Sequence, residues 1–374
     1  MSFAGVEDFA LERYFARWEF AVRHQLSASD VEPLSMSELL AMADDDGRRR
    51  WNDLRLGYTE SLGLPALREE IAATYEGVAA DDVIVVAGAE EGIFLLMHAL
   101  LGAADHAVVV TPAYQSLHAI ARAAGAEVTQ IPLRCDRGWE LDPEEVARSV
   151  SRRTRVIAVN YPHNPTGAHI TRDVQRRLVD IAEKTGAVLF SDEVYRGLEY
   201  RESDRLPAAA DLSRTAVSLG VMSKSFALAG LRIGWLATRD ATVLQRVARL
   251  KDYTTICSSA PSEILALIAL RARDLVLARS RAIVGRNVIC AGEFMARNAS
   301  AIEWVPPKAG SVAFPRFRQR DADHVSRELA ERHSTLLLPG SVFGFDRSHF
   351  RIGLGRLHLE DGLSRLDDVL HTRH

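Results

Sequence analysis

Between Val83 and Ala237 the chain repeats one pattern that few folds can satisfy, in which short, continuously apolar runs alternate with stretches of helical period. The runs span residues 83–87, 106–110, 128–132, 155–160, 187–191, 216–219 and 233–237. Helices are expected between them over 88–101, up to Arg122 and over 172–183. Strands that are apolar on both sides must be covered on both faces, so this alternation predicts an α/β fold with a large, mostly parallel, seven-stranded sheet. Ligands of such sheets sit at the carboxyl ends of the strands.

The flanks read differently. Residues 274–298 lack proline and predict one long helix, and 311–317, 334–338 and 350–354 predict short strands, together a smaller α+β domain. Ser35 and Glu38 have the spacing of a capping box for a helix through Ala43. The expected division is an N-terminal arm with part of the small domain (1–44), a large domain (45–250), and an interdomain helix with a small C-terminal domain (251–374).

Composition excludes several classes of function. The formal net charge of -4 leaves no basic footprint for nucleic acid or anionic membrane. No run approaches the roughly 18 apolar residues of a membrane span. Acids at Glu7, Asp8, Glu12 and Glu19 make the start neither a signal peptide nor a basic transit sequence. Cys135, Cys257 and Cys290 lack metal-ligand spacing, which favours reduced thiols and a cytoplasmic setting. His371 and His374 read as a solvated tail, and no metal is expected. Among 46 basic residues only four are lysines, Lys184, Lys224, Lys251 and Lys308.

Chemistry is sought after each strand. The turn Gly88-Ala89-Glu90 opens a helix whose free N–H groups and positive dipole end suit a phosphate, although a tight turn explains Gly88 equally well. No GxGxxG follows it, so a dinucleotide site has little support. Beyond the 155–160 run stands Tyr161-Pro162-His163-Asn164-Pro165-Thr166-Gly167, whose Asn, Pro and Gly suit a turn, although a turn alone does not require this combination directly beyond a buried strand. Asp192 ends the next run. A carboxylate at the edge of a dry sheet needs a cationic or proton-bearing partner, unless it caps a helix. Ser223-Lys224-Ser225 lacks the glycine that a P-loop places before its lysine. Lys184 closes a helix, and Lys251 and Lys308 have polar or proline-rich neighbours. Lys224, among small residues after an apolar strand, is placed to lose its proton and form a Schiff base.

These segments resemble the fold-type I, pyridoxal-phosphate-dependent aminotransferases of class I/II. The resemblance runs from about Tyr58 to Arg351 and rests on ordered motifs. These are Tyr58 with Gly63 and Leu67-Arg68, Asn164-Pro165-Thr166-Gly167, Asp192 to Tyr195, Ser223-Lys224 followed by Arg232, and Phe350-Arg351-Ile352-Gly353. It implies pyridoxal 5'-phosphate as cofactor, held by a Schiff base to Lys224, which then shuttles the Cα proton. Asp192 would pair with the pyridine nitrogen, which makes the ring an electron sink. Tyr195 and Asn164 would bond the ring oxygen, and Tyr114 would stack on the ring. Arg232, Ser223 and the Gly88-Ala89-Glu90 turn would hold the phosphate, and Arg351 with Asn164 would take the substrate carboxylate. Tyr58 would reach the phosphate of a neighbouring subunit, so a homodimer with shared sites is implied. For Arg351 a surface role is the competing reading, which Arg347 and Arg356 illustrate.

Three departures from the family pattern stand out. Val221 and Ala89 stand where hydroxyl residues are common, and Glu90 must then point away from the phosphate. The segment 26–33 also lacks the glycine-containing loop that relatives place over the substrate. With Trp18-Glu19-Phe20 it is similar to an arginine-derivative enzyme of the same superfamily. Glu19, Asp30 or Glu32 would then face a cationic side chain; solvated or turn-capping acids are the alternative. The expected activity is transfer of an amino group from an L-amino acid to a 2-oxo acid. Lyase, cyclase or oxidase chemistry on the same cofactor remains open, as does an effector-binding regulator module.

Overall fold

The computed structural model of the chain describes residues 5–371, so His374 lies outside the described residues. The chain starts with α1 (Ala10–Trp18), β1 (His24–Gln25), α2 (Met36–Ala41), α3 (Asp45–Asn52) and α4 (Pro65–Ala72). Ser35 caps α2 through the expected capping box: its hydroxyl accepts from the Glu38 amide, and the Glu38 carboxylate accepts from the Ser35 amide.

The alternating segment follows as β2 (Val83–Val86), α5 (Gly88–Leu100), β3 (His106–Thr111), α6 (Ser116–Ala123), β4 (Glu127–Pro132), α7 (Pro143–Ser149), β5 (Thr154–Asn160), α8 (Arg172–Thr185), β6 (Val188–Asp192), α9 (Ala209–Leu212), β7 (Ala216–Val221) and β8 (Gly234–Ala237). Strands β2 to β8 form one seven-stranded sheet in the order β2-β8-β7-β6-β5-β3-β4. Only β8 runs antiparallel to its neighbours β2 and β7; the other pairs are parallel. The strands β2, β7 and β8 are buried along their whole length, as their unbroken apolar sequences require, whereas β4 lies at an edge and alternates toward solvent. At β7/β8 the packing is close enough that a Cβ on Gly220 would lie 2.3 Å from the Trp235 ring, so only glycine fits there.

Beyond the sheet come α10 (Ala241–Lys251), α11 (Ala260–Arg271) and the long α12 (Arg273–Arg297), which matches the expected long helix to within a residue. The smaller domain holds β9 (Ile302–Glu303), β10 (Val312–Ala313), β11 (Arg316–Phe317), α13 (Ala322–His333), β12 (Thr335–Leu336), β13 (Leu338–Pro339), β14 (Phe350–Gly353) and α14 (Leu359–His371). Its strands are shorter than the sequence suggests: the 311–317 and 334–338 runs each break into two-residue strands that pair with different partners. Strand β1 pairs with β12, so the chain start is stitched to the small domain. Among the described residues no helix is long and apolar enough to cross a membrane.

Candidate active site

Eight segments converge on one cavity of about 370 Å³. The carboxyl ends of β5, β6 and β7 supply Asn160, Asp192 and Tyr195, and then Ser223 and Lys224. The turn that opens α5 supplies Ala89 and Glu90, and the turn before β8 supplies Arg232. Arg351 arrives from β14, Tyr114 from the turn after β3, and Glu12, Glu19, Ser29 and Asp30 from the chain start. Asn164, Val221 and Ala229 also border it. The sheet register explains the convergence at its centre, because Asn160 pairs with Asp192 and Asp192 with Leu219, so these strands end level with one another.

Each polar group is held by its neighbours. Asn160 donates to the Asp192 carbonyl at 2.9 Å and accepts from the Asn164 amide at 2.7 Å, fixing the 161–167 turn against the sheet. Asp192 is buried, and its only side-chain bond of note is from the Val194 amide at 3.2 Å. Burial pushes its carboxyl up to about 7, with Lys224 opposing that rise. Burial equally depresses the Lys224 ammonium below its ordinary value, against the attraction of Asp30. The Lys224 amine donates to Ser29 Oγ at 2.8 Å. Tyr195 is raised to about 12 by burial, and its Oη faces the Ser29 hydroxyl without a well-aligned hydrogen bond. Arg351, 1% exposed, donates from Nη1 to Asn164 Oδ1 at 3.0 Å and from Nη2 to the Ser27 carbonyl at 2.8 Å, and its Nε has no partner.

The phosphate-side residues also sit together. Gly88 has φ +81°, and a Cβ there would lie 2.5 Å from Arg232 Nη2; a Cβ on Gly234 would lie 3.0 Å from the Ala89 amide nitrogen. Guanidinium and helix-start amides therefore share one small concavity, which suits a dianion. An acid left without a cation, a buried phenol without an aligned partner and this anion cradle together fit pyridoxal 5'-phosphate.

Several expectations need correction. Glu90 is expected only to point away from the phosphate; it lines the cavity beside Ser116, and burial raises its carboxyl to about 7, which lessens its charge there. Glu32 stands outside the lining and accepts from the Leu357 amide at 3.2 Å. Asp30 lines the cavity but is paired with Arg356 at 3.0 Å, so Arg356 is no ordinary surface arginine. Lys251 is wholly buried, donating to the carbonyls of Ser61 and Ile256 at 2.8 and 3.1 Å. Tyr58 is 91% exposed and lies away from its own chain's cavity.

Sequence reasoning missed Asn160, Ser29 and Glu12. Asn160 had a signal, a polar residue ending an apolar strand next to the Asn164 turn. Glu12, which accepts from Tyr114 Oη at 2.9 Å, had none, because its partner lies 102 positions away. A second cavity of about 260 Å³ shares the Val194 and Val221 wall and is bordered by Tyr75, Glu193 and Arg196, but contains neither Asp192 nor Lys224. Among the described residues no cluster could hold a metal ion.

Comparison with known proteins agrees with this geometry. The family model for aminotransferase class I and II matches residues 37–361. Capreomycidine synthase of Streptomyces vinaceus is 33% identical over 372 residues, covering 99% of this chain and 94% of that protein. Arginine--pyruvate transaminase of Pseudomonas aeruginosa is 31% identical over 323 residues, 79% of this chain and 77% of that protein. The crystal structure of a PLP-dependent aminotransferase from Streptococcus suis superposes with a TM-score of 0.92 at 26% identity, covering 99% of both chains. The sheet order, the cavity at its carboxyl edge and these matches lead to one conclusion: the chain belongs to the aminotransferase class I and II family.

Proposed function

We propose that this pyridoxal-phosphate-dependent enzyme moves the amino group of an L-amino acid with a cationic side chain to a 2-oxo acid. The observation that carries the reading is the meeting in one cavity of a half-buried lysine, its proton affinity depressed, and a buried Asp192 that forms no ion pair with any described residue. Lys224 would hold the cofactor through its amine, and Asp192 would pair with the ring nitrogen. Tyr195 and Asn164 would meet the ring oxygen, Tyr114 would pack on the ring, and Arg232, Ser223 and the Gly88-Ala89-Glu90 turn would take the phosphate. When bound, the cofactor supplies an electron sink for the pair left at the substrate Cα.

This chain's residues do the rest. Arg351 orients the substrate by its carboxylate, with Asn164 holding the guanidinium in place. The Lys224 amine, its proton affinity lowered chiefly by desolvation, removes the Cα proton and can return it. The cationic side chain is assigned from the other end of the cavity. Burial, then the neighbouring Glu12 and Asp30, raises Glu19, so a cationic side chain placed there would relieve a repulsion that the Arg356 pair with Asp30 offsets only in part.

A cyclising reaction on an arginine derivative is the second reading, supported by the similarity to capreomycidine synthase along 99% of the chain. A panel of amino donors separates the two. Transamination predicts one equivalent of 2-oxo acid from arginine in the absence of acceptor and the amine form of the cofactor; a cyclised product with unchanged cofactor would overturn it. Lys224→Ala should remove the visible absorption band of bound cofactor and lower turnover by roughly 10⁴-fold or more.

We assign the assembly as a homodimer. Tyr58 and Leu56, 91% and 86% exposed, adjoin the exposed Tyr253 and Ile256 through the Thr59–Ser258 and Ser61–Asp252 hydrogen bonds, forming an apolar patch beside the phenol that would reach the neighbour's phosphate. We place the enzyme in the cytoplasm, since Cys135, Cys257 and Cys290 are all unpaired. We also propose the division 1–44, 45–250 and 251–374, with α11, which packs on α3 and α4, linking the two larger parts.

A further inference from the structure

We propose that Ser29 is a catalytic residue that docks the free amine of Lys224, and that its backbone is tied to the same strand that carries the substrate-binding Arg351. This rests on Lys224 being the amine that bonds the cofactor.

The contact is direct. Ser29 Oγ accepts from Lys224 Nζ at 2.8 Å, leaving its own proton facing Tyr195 Oη. Asp192 and Tyr195 come from the sheet, whereas Ser29 comes from the chain start, 195 positions before the lysine. An amine released inside a dry cavity needs a hydrogen-bond acceptor to hold it at one place, and Ser29 is the side chain that supplies it.

The segment around Ser29 has little freedom. The Ser311 hydroxyl donates to the Ser29 carbonyl at 2.7 Å, and Arg351 Nη2 donates to the Ser27 carbonyl at 2.8 Å. The Gly353 amide donates to the Leu26 carbonyl, and the Glu32 amide to the Gly355 carbonyl, both at 2.8 Å. The two glycines permit this approach: a Cβ on Gly353 would lie 1.8 Å from the Ala28 carbonyl oxygen, and one on Gly355 would lie 2.1 Å from that of Asp30. The carbonyl that Arg351 grips and the hydroxyl that meets Lys224 therefore stand two residues apart on one short, anchored segment, which fixes where the amine is docked relative to the substrate carboxylate.

The test compares wild type with S29A, S29C and S29T. The first readout is the pH dependence of cofactor capture by cofactor-free protein, followed as growth of the visible band. A hydroxyl that accepts from Nζ favours the charged amine, so its loss should move the capture midpoint to lower pH by about one unit. The second is the donor half-reaction, where S29A should lower kcat by roughly 10-fold and leave donor KM within about twofold. S29T, which keeps the hydroxyl, should restore both, and S29C, which keeps the volume and accepts weakly, should behave as S29A and serves if S29A fails to fold. Wild-type capture and kcat in S29A or S29C would overturn the proposal, as would S29T behaving like S29A. A wild type that forms no band with pyridoxal 5'-phosphate would instead overturn the assignment of Lys224.

Discussion

The wall of the cavity built by the ends of β5, β6 and β7 differs in kind from the wall built by α1 and residues 26–32. The first is a product of sheet register: Asn160, Asp192 and Lys224 follow strands that cannot slip without exposing apolar faces, so their relative positions are set by burial. The second combines the helix α1, held through Ala10, Glu12 and Tyr14, with the irregular segment 26–32. The place of that segment depends on hydrogen bonds to β14 and Gly355 and on two glycines that let backbones touch. On the proposed reading, reaction chemistry sits on the sheet wall, and the groups proposed to select a substrate and dock the lysine sit on a strap that could be exchanged without rebuilding the sheet.

The difference can be tested by breaking each wall separately. Asp192→Asn removes the proposed charge partner of the cofactor nitrogen and should lower kcat by roughly 10²–10⁴-fold for every amino donor alike; a loss confined to arginine would mean that the sheet wall also selects substrates. Glu12→Gln and Glu19→Gln act on the strap wall, and each should lower kcat/KM for arginine about 10-fold while leaving norleucine nearly unchanged. Equal losses for both donors would show that these acids maintain the cavity rather than read its occupant.

The smallest effect concerns stability without cofactor. Asp192 and Glu90 both titrate near 7 when folded and near 4 when unfolded, so the folded protein binds more protons. Their contribution is present below about pH 4 and is lost as pH rises toward 7. The Tm of cofactor-free protein should therefore fall by a few degrees between pH 5 and 8, less so in Asp192→Asn; bound cofactor should flatten the slope by neutralising Asp192. A Tm that rises over this range in the cofactor-free protein would place both carboxyls in a more polar setting.

Much of the site was legible because the sheet repeats a rule. A polar or charged residue at the carboxyl end of an apolar strand marks a ligand site, and Asp192, Lys224 and Asn164 follow that rule. Arg351 was legible only by its Phe-Arg-Ile-Gly neighbours, since 42 of the 46 basic residues are arginine and the residue type alone says little. Arg356 shows the cost of that abundance: it has the same local appearance as a surface arginine, and only the structure shows its 3.0 Å pair with Asp30, a residue of the cavity lining.

By itself the sequence determined the α/β sheet, the segments that end at its carboxyl edge and the lysine that meets them, because burial acts on each strand where it stands in the chain. Only the tertiary structure decided which of the N-terminal acids faces the cavity, that Glu90 lines it with its charge suppressed, and that Ser29 meets Lys224. Those contacts join residues 102 to 326 positions apart through single hydrogen bonds and close backbone approaches, and no local period or spacing encodes a meeting of that kind.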